Sequence, residues 1–138
     1  MTGDVVDFPD IIEIPIFPLP NVVLFPRTVL PLHIFEPRYK QMVGDALGGS
    51  RKIGMVLLQP GWESGYHGNP EVFETGSAGV ITECKSLEEG RYDLLLSGRD
   101  RFRILEFIQE TPYRIARVQW LKEVLPSDRE ASTIATQL

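Results

Sequence analysis

Hydrophobic and polar positions divide the chain into two regimes, one broken by prolines and one alternating with a period of two. The first runs from Ile14 to Leu47, IPIFPLPNVVLFPRTVLPLHIFEPRYKQMVGDAL, and holds six of the eleven prolines. Proline fixes φ and removes an amide donor, so this run is neither a continuous helix nor a membrane span. It reads as short extended pieces and tight corners wrapped on a core, followed by one helix. Alternation of Ile12, Ile14 and Ile16 predicts a strand over Ile12–Phe17, which Pro15 and Pro18 send to a sheet edge or end early. Val22–Phe25 is a short apolar piece closed by Pro26. Val29–Ile34 is a second extended segment, again an edge or a bulge because of Pro31. The period then changes: Tyr39, Met42, Val43, Ala46 and Leu47 form the stripe of a half-buried helix. Pro37 suits its first turn and Gly48-Gly49 stops it, so the helix spans about Pro37–Leu47.

The second regime is strand-like. Ile53–Gln59 is continuously apolar and predicts a strand buried on both faces. Pro60–Asn69, PGWESGYHGN, is an exposed glycine-rich loop carrying Trp62, Tyr66 and His67. After Phe73 the period is two, with strands over Gly76–Cys84, Arg91–Ser97, Phe102–Ile108 and Tyr113–Leu121. Turns are expected at Glu88–Gly90 and Gly98–Asp100. The alternation slips from Phe102 and Ile104 to Leu105 and Phe107, which predicts a bulge that curves the sheet. The fold class is mainly β (α+β): a small curled antiparallel sheet or partly closed barrel with one inserted helix. Residues 1–11 read as a lead-in and 12–122 as the domain. Residues 123–138 read as the start of a helical region, where Ser127 and Glu130 have capping-box spacing.

Composition narrows the function classes. The 138 residues are 43% hydrophobic and 24% charged, with a formal net charge of −5, which is the profile of one folded domain. An acidic chain disfavours nucleic acid as a partner, because phosphate binding needs a basic surface. Cys84 is the single cysteine, which excludes an intrachain disulfide and a cysteine-held zinc site. The opening MTGDVVDFPD lacks a signal-peptide pattern, and no run approaches the roughly 18 apolar residues of a membrane helix. A cytoplasmic protein with no membrane partner is the expectation.

No catalytic centre emerges. Gly48–Lys52 has glycines before a lysine but does not match a phosphate loop, and it follows a helix. Cys84 lies in a predicted strand and reads as a small buried hydrophobe. His33 reads as a hydrogen-bonded structural histidine, and His67 alone makes no metal site. The carboxylates Glu63, Glu71, Glu74, Glu83, Glu88, Glu89 and Asp93 fall beside turns or on outward faces. Glu36, Arg38 and Arg101 are candidates for structural ion pairs that tie the proline-rich segment to the later hairpin. No cofactor and no metal are expected.

The wording of the motifs adds a family. Pro15–Pro20 (PIFPLP), Val23–Pro26 (VLFP) and Leu30–Tyr39 (LPLHIFEPRY) resemble the opening of the Lon protease N-terminal, substrate-binding domain, closest to its stand-alone bacterial members. The likeness continues through Gly54, Val56, Gly76-Ser77, Asp93, Gly98, Arg101-Phe102-Arg103 and Pro112-Tyr113. It departs at Ser77, at Gly79 where alanine is common, and in the Gly61–Asn69 loop. The resemblance implies a PUA-like pseudo-barrel of about six strands with a helix, followed by a helical subdomain. It further implies a non-enzymatic module that binds unfolded or exposed apolar polypeptide segments in protein quality control, since the ATPase and peptidase reside in later domains of full Lon proteases. Self-association is compatible with it. Trp62, Tyr66 and Phe73 are the expected contacts, because aromatic anchors bury large area per rotatable bond. The alternatives are RNA binding through Arg99, Arg101, Arg103, Arg114 and Arg117, and a small-molecule pocket between the proline-rich segment and the sheet.

Overall fold

The computed structural model describes residues 11–65 and 68–121. They form β1 (Ile11–Leu19), β2 (Val29–Ile34), α1 (Pro37–Leu47), β3 (Lys52–Leu58), β4 (Val72–Ser86), β5 (Tyr92–Gln109) and β6 (Arg114–Trp120). The sheet order is β2-β5-β4-β3-β1-β6, and β6 pairs again with β5. Five strands therefore close into a ring, with β2 attached outside it on β5. The expected helix at the end of the chain lies outside the described residues.

The sheet is not purely antiparallel. β1 and β3 run parallel, Ile16 opposite Gly54 through Leu19 opposite Leu57. Parallel neighbours need a long crossover, and the stretch containing β2 and α1 supplies it. β1 is also longer and more central than its prolines predict. Its first part, Ile11–Ile16, pairs with β6, and Ile16–Leu19 pairs with β3. Pro15 faces only Ile115 and Pro18 faces only Val56. Each half of the strand is locally an edge, so neither ring disrupts a ladder on two sides.

The second correction is β5. Gly98–Asp100 is not a turn; the strand runs 18 residues straight through it and pairs with β2, β4 and β6. Gly98 is required for close approach rather than for a reversal. A Cβ there would fall on the backbone carbonyl oxygen of Phe25, because the proline-rich segment crosses β5 at this point. Gly98 N–H donates to the Thr28 carbonyl at 2.7 Å and Arg27 N–H to the Gly98 carbonyl at 3.0 Å. The expected slip near Leu105 is present, as a register shift between Ile104 and Glu106 opposite β6.

Two cores result. Inside the ring, Ile14, Ile16, Val56, Ala78, Ala116 and Val118 surround the fully buried Phe102. Gly54 makes room for it, since a Cβ there would lie 2.9 Å from the Phe102 ring. The other core packs Tyr39, Met42, Val43 and Ala46 of α1 against Phe17, Leu24, Ile34, Ile53, Ile81, Leu94 and Leu96. The hydroxyl of Tyr113, the residue before β6, reaches α1, donating to Asp45 Oδ2 at 2.7 Å.

Two outcomes follow from this packing. Gly98→Ala is expected to lower the unfolding free energy by about 2–3 kcal/mol, as overpacking does. Gly65→Ala, with nothing within 4 Å of the added carbon, is expected to change it by less than about 0.5 kcal/mol; urea midpoints check both. Burial, and then the Asp45 hydrogen bond, push the Tyr113 hydroxyl up to about 12, against about 10 in an unfolded chain. The folded state therefore holds this proton more tightly. Its contribution is complete below pH 10 and is lost as pH rises through 12. Tyr113→Phe should remove that part of the alkaline decline in urea midpoint.

Candidate functional site

The proline-rich crossing builds a groove. Between β1 and β2 the backbone of Val22–Thr28 is held at its end by the two bonds to Gly98 and by Thr28, whose N–H and hydroxyl both donate to the Phe25 carbonyl at 3.2 and 2.7 Å. Alternation in this extended piece turns Leu24 into the core at 3% exposure and leaves Val23 and Phe25 outward at 51% and 61%. Prolines on both sides, Pro20 and Pro26, restrict the segment without adding amide donors. Against it lie Met55–Leu57 of β3, Phe73 and Thr75–Ser77 of β4, and Arg101 of β5, enclosing about 380 Å³. Phe73 remains 42% exposed. Large apolar side chains grouped around a groove, rather than scattered singly, mark an interaction surface.

The expected contact residues do not fall together. Phe73 lines the groove. Trp62 starts a single 3-10 turn, Trp62–Gly65, is half-buried, and does not line the groove. Tyr66 and His67 lie outside the described residues. The far stem of their loop is clamped by Arg114, which is 5% exposed. Its Nε donates to Asn69 Oδ1 at 3.1 Å and a terminal nitrogen donates to the Pro70 carbonyl at 2.5 Å. Asn69 donates to the Glu110 carbonyl at 3.2 Å, and Arg38 to the Gly68 carbonyl at 3.0 Å. The Arg114 guanidinium also sits over the Phe107 ring, 5.4 Å from its centroid. Burial holds its pKa below the usual arginine value.

Most of the arginines considered for RNA are engaged with protein. Arg117 contacts both Glu106 and Glu13, Arg103 donates to Gln119 at 3.2 Å, and Arg114 is buried. Glu36 lies 3.7 Å from Arg38 of its own segment. Arg101 stands instead opposite Ser77 in the β4–β5 ladder and lines the groove, with no ion pair among the described residues.

A wider concavity of about 510 Å³ covers the β2-β5-β4 side and is lined by Pro31, Leu32, His33, Glu83, Cys84, Lys85 and Asp93–Leu95. His33 Nδ1 and Asp93 Oδ1 are 2.7 Å apart, so the histidine bridges β2 and β5. It is exposed rather than set in an apolar wall. Cys84 packs against the core, and burial raises its pKa, the opposite of an activated thiolate. Among the described residues no group of three or more His, Cys, Asp or Glu is arranged to hold a metal. No helix there is long and apolar enough to cross a membrane.

Comparison with known proteins places this geometry. Residues 13–138 match the ATP-dependent protease La (LON) substrate-binding domain. The chain belongs to the Lon substrate-binding domain family. Lon protease 2 of Sorangium cellulosum is 31% identical over 130 residues, which are 94% of this chain and 16% of that protein. Lon protease of Cytophaga hutchinsonii is 32% identical over 120 residues, 87% of this chain and 14% of that protein. The chain thus spans less than a fifth of these Lon proteases. A Lon N-terminal domain protein from Xanthomonas campestris superposes with a TM-score of 0.63 at 26% identity, over 80% of this chain and 60% of that one. The N-terminal domain of a Mycobacterium avium complex Lon protease gives 0.61 at 13% identity, over 81% and 56%, a likeness of fold. The expected family and the mainly β fold with one helix are therefore those observed.

Val23 and Phe25 were not expected as surface residues. VLFP reads only as a short apolar piece, and the fold decides which of its side chains face inward. Arg114→Met should cost about 2–3 kcal/mol, the usual loss for hydrogen bonds to a charged group. It should also speed amide exchange at Gly68 and Asn69 relative to Val118, read by hydrogen–deuterium exchange.

Proposed function

We propose that this chain is a substrate-recognition module that binds exposed apolar segments of unfolded polypeptides in the groove bounded by Val22–Pro26. It acts in protein quality control in the cytoplasm and does no chemistry of its own. The observation that carries the reading is the outward pair Val23 and Phe25, on a segment that Arg27 and Thr28 bond to β5, lining a groove with Phe73. Family membership supports it, as do the names of the relatives.

The lining fits binding better than catalysis. Among the described residues its polar members are Thr75, Ser77 and Arg101, which include no carboxylate, histidine or lysine to act as a base beside a hydroxyl. A volume of about 380 Å³ is within the range of ligand pockets, and apolar lining with a few polar groups is their usual composition. Because the groove is open along a pinned extended segment, an elongated chain suits it better than a compact small molecule. Trp62 and Tyr66 are proposed as secondary contacts for segments that extend toward the Pro60–Asn69 loop.

Binding of a fluorescently labelled, reduced and alkylated globular protein, followed by anisotropy, tests this reading. Burial of a partly exposed phenylalanine is worth about 1–2 kcal/mol. Phe25→Ala and Phe73→Ala are each expected to weaken binding by about five- to thirtyfold, with little change in urea midpoint. Wild-type affinity in the double variant would remove the groove from consideration.

A further inference from the structure

Among the described residues the groove lining is uncharged except at Arg101, and that exception carries information about what it receives. We infer that the groove selects apolar segments bearing an Asp or Glu side chain next to a large apolar residue, with Arg101 holding the carboxylate. This rests on the polypeptide-binding reading above. Arg38, Arg103, Arg114 and Arg117 each have protein partners in the structure, whereas Arg101 forms no ion pair among the described residues. Its backbone is nevertheless fixed: it sits opposite Ser77 in the ladder, and its carbonyl accepts the Leu121 N–H at 2.9 Å. Cross-strand neighbours share a face, and Ser77, 7% exposed, and Arg101 both line the groove. The planar fork of arginine matches a carboxylate with two parallel bonds. With a chain net charge of −5, acidic segments gain nothing from the surface as a whole, so a preference for them requires a local cation.

The carboxylate is assigned to a side chain rather than a peptide terminus. Termini are captured by clustered backbone amides in nests, whereas the backbone at Ser77 and Arg101 is paired within the sheet.

The test uses the full chain and fluorescent eight-residue peptides with a central Phe-Leu pair followed by Glu or Gln, each with a free or amidated C-terminus. Wild type is expected to bind the Glu peptide about two- to fivefold tighter than the Gln peptide at low salt, the effect of an exposed Arg–carboxylate pair. Arg101→Gln should bring that ratio to about one, and Arg101→Lys should retain part of it. Equal binding of both peptides, lost in Phe25→Ala, would overturn this assignment and leave the groove reading intact. No binding of either peptide, with none of unfolded protein, would overturn both. A Glu preference surviving in Arg101→Gln, or a preference set by the free C-terminus instead, would overturn the assignment to Arg101 and a side chain. So would several-fold tighter peptide binding by Glu123→Gln, because it would give Arg101 to the chain's own segment after Leu121.

Discussion

The crossing of two backbones at Gly98 is the contact on which the groove side of this fold depends. β5 must pass under Val22–Thr28 with a carbonyl oxygen where any other residue would carry its Cβ. There the N–H and C=O of one strand residue both bond the proline-rich segment, at Thr28 and Arg27. That anchorage satisfies backbone groups that a wandering apolar segment would otherwise leave unpaired. It also sets the side-chain phase: Leu24 inward, Val23 and Phe25 outward. The groove is a consequence of that phase.

The same strand unites the two cores. Leu94 and Leu96 of β5 belong to the helix-side core, and Phe102 fills the ring. An 18-residue strand can do this because it bends where its partners change, with register shifts opposite both β4 and β6. Val23 and Phe25 stand on a segment that Arg27 and Thr28 bond to β5, and Phe73 stands on β4.

Charge is arranged to the same effect. Arg117 lies between carboxylates and Arg114 is consumed in holding the loop stem. Of the basic residues considered for a nucleic-acid patch, Arg103, Arg114 and Arg117 are engaged by protein side chains instead. Arg101 differs because its ladder position faces the groove.

By itself the sequence determined what depends on short-range periodicity. The span of α1 follows from its apolar stripe, Pro37 and the following glycines. β2, β3 and β6 follow from alternation or continuous apolarity, and the slip near Leu105 marks its bulge. The motifs from PIFPLP to Pro112-Tyr113 carried the family. Tertiary structure decided what depends on which backbone lies beside which. Gly98-Arg99-Asp100 has the composition of a turn, yet its glycine serves an approach from a segment some seventy residues earlier, which no local pattern encodes. Pro15 and Pro18 read as strand breakers, but β1 changes neighbours between them, so each proline meets one ladder. Phe73 was singled out from the sequence as a candidate aromatic anchor, and it lines the groove. Phe25 was not, because an apolar residue in an extended segment has no inside or outside until its backbone is bonded to something.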